Sequence, residues 1–253
     1  VVVVILESFA RTVMDADVDG RPVMPNMRRL RDEGIWFENF FANSFRTDRG
    51  EVAVLSGFPA QTRMSIMKLP AKSRSLPSLA RSLARFRGHA VIAPSLAREG
   101  YATSFVYGGD LNFTNQASYM YATGWQQLVW QRDLRFDTPP SDWGYDDAVM
   151  CDWFADRVIA QSGTGEPFLA GLLTLSSHRP FDVPFSRFDD RELNAFAFAD
   201  DCVGRMIDKL KASPAWDDLL VVLVADHGYP WPRSLSYNEP LRHRIPMIWT
   251  GGA

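Results

Sequence analysis

The chain has 253 residues, of which 46% are hydrophobic and 13% aromatic, enough to bury one large core. Its net charge of -3 and pI near 5.8 give no reason to expect a nucleic-acid partner. No apolar stretch reaches the roughly 18 residues that a membrane helix needs. Cys151 and Cys202 form no metal-type pair and are predicted to be buried thiols.

Apolar runs of strand length alternate with helical stretches along the chain. In chain order, the predicted strands are Val1–Leu6, Ala102–Tyr107, Phe168–Leu175, Leu219–Ala225 and Ile245–Trp249. The predicted helices are Met24–Glu33, Gly50–Ser56, Ser75–Phe86, Asp146–Ala160 and Glu192–Ala212. This alternation is typical of an α/β fold in which helices cover both faces of a mostly parallel central sheet.

The two ends of the chain and two internal segments lead to further expectations. The chain starts inside a predicted strand and stops just after another, so residues 1–253 are expected to be a single catalytic domain truncated at both ends.

The sequence of Pro77–Arg81 recurs at Pro94–Arg98, either as a local duplication or as a chance similarity, and no function is assigned to it. Residues Trp130–Trp143, with Pro139-Pro140, are predicted to form a long loop near the site or a lid.

Ionisable residues follow three of the predicted strands. Glu7 follows the first strand, His178 follows the third closely, and Asp226 with His227 ends the fourth. Because ligands gather beyond the carboxyl ends of parallel strands, these groups are expected at one edge of the sheet. Glu7 alone is better explained as a helix cap, but the adjacent Asp226 and His227 suit a divalent metal ion.

Thr47 is the candidate nucleophile. It lies close to the start of the predicted helix Gly50–Ser56, where free backbone N–H groups attract phosphate. A metal ion beside its hydroxyl would supply the activation that a threonine lacks. The alternative is that Thr47 only caps the helix. Arg46 and Arg49 flank it, either neutralising substrate charge or remaining solvated.

Five short segments together resemble a known family. They are, in order, VVVVILESF, FRTDRG, YGGD, LSSHRPF and VADHG. This ordered set, spread from Val1 to about Gly251, is similar to the lipoteichoic-acid-synthase-like branch of the sulfatase and alkaline phosphatase superfamily. The resemblance implies an alkaline-phosphatase-like fold.

The resemblance also implies a set of functional residues. One divalent ion, with Mn²⁺ preferred over Mg²⁺ or Zn²⁺, would be held by Glu7, Thr47, Asp226 and His227. His178 matches a family histidine that contacts the substrate phosphate.

Within residues 107–116 the resemblance is incomplete. Asn115 matches a substrate-binding position, whereas Gly108 and Gln116 stand near positions where the family has a histidine and an arginine. The family further implies membrane helices upstream, a catalytic domain outside the cytoplasmic membrane, and a phospholipid or other phosphodiester substrate.

The function predicted from these residues is metal-dependent transfer of a phospho-alcohol group, such as phosphoglycerol, from a lipid-linked donor. A covalent phospho-threonine at Thr47 would be the intermediate, and His178 would hold a phosphoryl oxygen or protonate the leaving group. Two alternatives stay open: a phosphodiesterase or phosphatase that uses water as the acceptor, and an inactive scaffold. Sulfatase chemistry is not expected, because neither cysteine lies in the required C/S-x-P-x-R context.

Overall fold

The computed structural model describes residues 1–60, 65–68 and 91–253. Its strands are β1 (Val2–Leu6), β2 (Asp17–Val18), β3 (Arg21–Pro22), β4 (Ile35–Trp36), β5 (Ala102–Tyr107), β6 (Gln127–Trp130), β7 (Phe168–Leu173), β8 (Leu220–Ala225) and β9 (Met247–Gly251). Its α-helices are α1 (Arg11–Met14), α2 (Pro25–Glu33), α3 (Thr47–Ser56), α4 (Ile92–Arg98), α5 (Gln116–Ala122), α6 (Asp147–Ser162) and α7 (Arg191–Lys211).

Seven strands form one sheet in the order β4-β9-β8-β1-β7-β5-β6. β1 lies near its centre and pairs in parallel with both β7 and β8, so that Val4 lies opposite Leu172 and Leu223. β5 pairs in parallel with β6 and β7, whereas β9 runs antiparallel to β8 and to β4. The predicted mostly parallel sheet is confirmed, and all five parallel strands end at the same edge.

Both faces of the sheet are covered by helices. Along β1, Val2, Val4 and Leu6 pack into one apolar layer with α1, α2, α6 and α7. Val3 and Ile5 point to the other layer, with α3, α4 and α5. A continuous apolar run such as β1 is expected for a strand buried on both sides. The core therefore lies in two layers, one on each face of the sheet. Every residue of β1 is buried in one of them, so polar residues occur only after the strand ends at Leu6.

Several predicted boundaries need correction. The predicted helix Gly50–Ser56 begins at Thr47, because the Arg46 carbonyl accepts hydrogen bonds from the Arg49 and Gly50 N–H groups. The predicted strand Phe168–Leu175 ends at Leu173. The last predicted strand, Ile245–Trp249, lies at Met247–Gly251 and is antiparallel to its neighbours.

Other sequence expectations have different outcomes. The predicted loop Trp130–Trp143 follows β6, which was not predicted, and opens with a 3-10 helix at Gln131–Asp133. The predicted helix Ser75–Phe86 and the first repeat copy, Pro77–Arg81, lie outside the described residues, and the second copy lies in α4. The two cysteines are free and buried, as predicted. Among the described residues, no helix combines the length and apolarity needed to span a bilayer.

Candidate active site and metal centre

The carboxyl ends of β1 and β8 bring together three side chains that could bind a metal ion. The two strands are adjacent, with Leu6 opposite Ala225, so Glu7 and the pair Asp226-His227 leave the sheet side by side. One ligand atom from each of these residues lies within 4.8 Å of the other two, and all three residues are buried. The sheet register thus makes neighbours of residues that are far apart in sequence.

Backbone hydrogen bonds hold Glu7 in place. Its N–H donates to Thr174 Oγ1 at 2.9 Å, and its carbonyl accepts from Ser177 Oγ at 2.6 Å. Both partners come from the segment just after β7, the other neighbour of β1. Because β7 ends at Leu173, the Thr174 side chain is available to hold Glu7, the residue that follows β1.

The two carboxylate oxygens of Asp226 have different surroundings. Oδ1 accepts hydrogen bonds from the N–H groups of Ser8 and His227, at 2.8 and 2.7 Å. Oδ2 is buried without a hydrogen-bond partner among the described residues, and it lies 3.5 Å from His227 Nε2. An orphaned buried carboxylate oxygen is costly unless a cation or a donor reaches it.

The ring of His227 is oriented by its own loop. Nδ1 lies 2.9 Å from the Gly228 carbonyl, which can only accept, so Nδ1 carries the proton. Nε2 lies 3.6 Å from Glu7 Oε1 and 3.4 Å from Thr47 Oγ1, and in the neutral ring it carries the lone pair that a metal ion would bind. A histidine bound through one nitrogen while the other donates to a carbonyl is the usual arrangement of a metal ligand.

Thr47 is the first residue of α3 and faces this cluster. Its hydroxyl donates to Glu7 Oε2 at 3.0 Å. As the first residues of the helix, Thr47 and Asp48 have N–H groups that no helical carbonyl can accept, an arrangement that favours an anion. The structure therefore brings Thr47 together with Glu7, Asp226 and His227.

Ser8 and Gly50 belong to the site but were missed by sequence reasoning. Ser8 has a φ of 58°, in the left-handed region, and its hydroxyl donates to Glu7 Oε1 at 2.6 Å. A Cβ on Gly50 would lie 2.1 Å from the Asp226 carbonyl oxygen, so only glycine lets α3 approach β8 this closely. The available signals were the position of Ser8 beside Glu7 and a glycine inside a helix.

Burial and like charges dominate the electrostatics of the metal-free cluster. Burial, with the nearby Glu7 carboxylate, raises the pKa of Asp226. Burial disfavours the charged form of His227, but the Asp226 and Glu7 carboxylates outweigh it and raise its pKa. Glu51 is fully buried, and burial, reinforced by Asp226, Glu7 and Asp48, raises its pKa well above the ordinary value. These carboxylates are close enough to repel one another, and a bound cation would relieve that repulsion.

A cavity of about 350 Å³ opens above the cluster. His178 lies in its wall, where Nδ1 is 2.7 Å from the Arg179 carbonyl and therefore carries the proton. Trp143 packs against the His178 ring with centroids 4.6 Å apart, and Phe113 packs edge-on against Trp143 at 5.6 Å. The predicted loop 130–143 thus does contribute to the site.

The remaining predicted residues are placed less centrally. Arg46 lines the cavity, whereas Arg49 lines a neighbouring groove next to Phe45. The Asn115 side chain donates to the Met67 carbonyl at 2.6 Å and is not among the residues that line the cavity. Its neighbours do line it: Thr114 and Gln116, which sequence reasoning did not assign to the site.

The donor set fits a divalent cation. Two carboxylates and one imidazole supply the oxygen and nitrogen donors that Mn²⁺, Mg²⁺ or Zn²⁺ accept. The unpartnered Asp226 Oδ2 and the free lone pair of His227 Nε2 are both directed into the cluster. The residues present therefore fit one metal ion, with Thr47 beside it.

Comparisons with known proteins place the chain in a family. The model of the Sulfatase family matches residues 1–251. Phosphoglycerol transferase I of Salmonella arizonae is 26% identical over 238 residues, which are 87% of this chain and 30% of that protein. The chain thus spans about a third of the length of this relative.

Two solved structures share the fold. A protein in the alkaline phosphatase superfamily from Vibrio parahaemolyticus has a TM-score of 0.81 and 26% identity, covering 99% of this chain and 59% of that one. The lipoteichoic acid synthase LtaP from Listeria monocytogenes has a TM-score of 0.84 and 21% identity, covering 98% of this chain and 64% of that one. The alkaline-phosphatase-like fold expected from the sequence is confirmed, and the chain belongs to the sulfatase family.

Proposed function

We propose that this chain is the catalytic domain of a metal-dependent transferase that moves a phospho-alcohol group through a phospho-threonine at Thr47. The observation that carries the proposal is the position of Thr47 Oγ1, 3.0 Å from Glu7 Oε2 and 3.4 Å from His227 Nε2. The N-cap residue of α3 is Arg46, so Thr47 does not cap the helix, and its hydroxyl donates to Glu7 instead.

The first half-reaction forms one P–O bond and breaks another. Thr47 Oγ attacks the phosphorus of a phosphodiester, and its proton leaves along the hydrogen bond to Glu7 Oε2. The alcohol leaves on the opposite side, and His178, which enters this step as the imidazolium, supplies its proton from Nε2 and keeps the Nδ1 proton that faces the Arg179 carbonyl. The N–H groups of Thr47 and Asp48 bind a phosphoryl oxygen.

The second half-reaction reverses these roles. An acceptor oxygen attacks the phospho-threonine, His178 takes its proton, and Thr47 regains its hydroxyl proton from Glu7. A divalent ion bound by Glu7, Asp226 and His227 would lower the pKa of the threonine hydroxyl and withdraw charge from the phosphoryl group.

The finer parts of the proposal rest on likeness to relatives. A phosphoglycerol-type group, a lipid-linked donor, Mn²⁺ as the ion and a location outside the cytoplasmic membrane follow the sequence resemblance. The Salmonella relative, named phosphoglycerol transferase I, supports the phosphoglycerol group in particular. Water as the acceptor would make the same site a phosphodiesterase.

The test compares the unchanged protein with Thr47→Ala and Thr47→Ser, each loaded with metal. We expect Thr47→Ala to abolish turnover of bis(p-nitrophenyl) phosphate, whereas Thr47→Ser retains measurable turnover and gains the mass of the transferred group on brief exposure to substrate. Product ratios with and without glycerol separate transfer from hydrolysis. Full activity of Thr47→Ala would refute the assignment of Thr47 as the nucleophile. A parent protein that binds no metal and shows no activity would favour the inactive-scaffold alternative.

A further inference from the structure

The cavity must bind an anionic substrate although carboxylates are among the residues that line it. A phosphodiester is an anion, yet the floor of the cavity presents the carboxylates of Glu7 and Asp48. One divalent ion would offset the charge of the two carboxylates that hold it, Glu7 and Asp226, and Asp48 is already paired with Lys68 and Arg46. The family's arginine is replaced here by Gln116, whose Oε1 is buried without a partner among the described residues. The negative charge of the substrate therefore calls for a further cation in the cavity that is not already paired with a carboxylate.

Three arginines line the cavity, and two of them have partners. Arg46 Nε lies 3.6 Å from Asp48 Oδ1, and Arg179 interacts with the Tyr229 hydroxyl. Arg242 differs from both. Its Nε is buried without a hydrogen-bond partner, and it forms no ion pair with a carboxylate of the described residues.

Arg242 is also held rigidly against the metal-binding loop. It lies in the 3-10 helix Pro240–His243, and a Cβ on Gly228 would be 2.0 Å from the Arg242 carbonyl oxygen. Gly228 directly follows His227, so this helix packs on the turn that carries a metal ligand. The Arg242 guanidinium lies 4.9 Å from the centroid of the Tyr237 ring, a stacking contact that limits its orientations.

We propose that Arg242 is the cationic side chain that binds the phosphoryl group of the substrate, through hydrogen bonds from its guanidinium. The inference rests on the proposed function, because it assigns the anion partner within the same cavity. A buried guanidinium N–H without an acceptor is costly, and an anionic phosphoryl group supplies the acceptor that Arg242 Nε lacks. Arginine suits this role because its planar fork matches two phosphate oxygens.

The test measures binding of inorganic phosphate to the metal-loaded protein by calorimetry. Since hydrogen bonds to charged groups account for about 10- to 100-fold in affinity, Arg242→Gln should weaken phosphate binding by that factor while metal content stays unchanged. Arg242→Lys should lose less. Arg205→Gln, which removes an exposed arginine paired with Asp201 on α7, should bind phosphate like the parent protein.

Two further measurements separate this inference from others. If Arg242→Ala is inactive on bis(p-nitrophenyl) phosphate, added guanidinium ion should restore part of its turnover but none of that of Thr47→Ala, which a purely structural role would not give. Phosphate affinity equal to the parent in Arg242→Gln, or no difference between the Lys and Gln variants, would overturn the assignment. Because phosphate binding needs no turnover, this result stands or falls separately from the Thr47 nucleophile.

Discussion

At the scale of single residues, Gly50 sets the distance between Thr47 and the cluster of Glu7, Asp226 and His227. It lies three residues after Thr47 in α3, against the backbone of Asp226, where a Cβ would be 2.1 Å from the carbonyl oxygen. Backbone atoms cannot give way as a flexible side chain can, so any larger residue must push α3 away from β8. That displacement would move the Thr47 hydroxyl away from Glu7 and His227.

We therefore expect Gly50→Ala to lower kcat/KM by about 100-fold or more, because small misplacements of a reacting group have effects of this size. Overpacking should also cost about 1–3 kcal/mol of unfolding free energy. Gly163→Ala is the matched control, since the nearest atom to its added Cβ would be 3.4 Å away. Steady-state kinetics and urea denaturation of both variants check this. Equal activity of the two would mean that α3 can shift without harm.

How well the sequence predicts the site depends on the type of residue. Glu7, Asp226 and His227 were predictable because ionisable groups at strand ends break an apolar run. Ser8 and Gly50 act through a left-handed φ and a close backbone contact, neither of which leaves a mark in the sequence pattern. The Asn115 side chain bonds to Met67 instead of lining the cavity, a contact set only by tertiary packing.

At the scale of elements, Asp147 ties α6 to the segment that follows β7. Its side chain accepts from the N–H groups of Leu175 and Ser176, at 2.8 and 2.9 Å, while its own N–H donates to Ser176 Oγ at 2.8 Å. Burial raises the pKa of Asp147 to about 6, an effect that these hydrogen bonds oppose. The carboxylate is thus ionised at neutral pH, and it braces the turn that leads to His178.

Removing this brace should affect both stability and activity. Asp147→Ala leaves two buried N–H groups unpaired and is expected to cost roughly 3 kcal/mol of unfolding free energy, together with a clear loss of kcat. Its neighbour Asp146 caps α6 through the N–H groups of Ala148 and Val149 and has no bond to the turn. Asp146→Ala should cost about 1 kcal/mol and leave kcat nearly unchanged. A similar loss of kcat in both variants would show that the effect is one of helix stability alone.

The elements themselves were predictable in proportion to their length and periodicity. β1 and β8 are continuous apolar runs, and α7 has a long apolar stripe, so their positions needed no tertiary information. β4 has two residues, and its place in the sheet depends on pairing with β9. The antiparallel direction of β9 follows from the path of residues 226–246, which no local pattern encodes.

At the scale of the whole molecule, a metal ion bound at the cluster would compete with protons for the same groups. In the metal-free protein the pKa values of Asp226 and His227 are raised, so the folded state binds more protons than the unfolded chain near neutral pH. The sign follows from linkage: stability from these groups is present at low pH and is lost as pH rises through their folded pKa values. A metal ion needs the deprotonated forms, so its affinity changes in the opposite direction.

These opposing trends predict a larger metal effect at pH 8 than at pH 6. At a hundredfold excess over its dissociation constant, a ligand adds about 2.7 kcal/mol, and for a domain of this size each kcal/mol raises Tm by about 2–4 °C. We expect Mn²⁺ to raise Tm by about 5–10 °C at pH 8 and by clearly less at pH 6, measured by thermal unfolding after chelation and reloading. Asp226→Asn should remove the increase, whereas His243→Gln, a histidine bonded to the Tyr237 carbonyl outside the cluster, should retain it. An increase of equal size at both pH values, or one that survives in Asp226→Asn, would place the ion elsewhere and leave Thr47 without its source of activation.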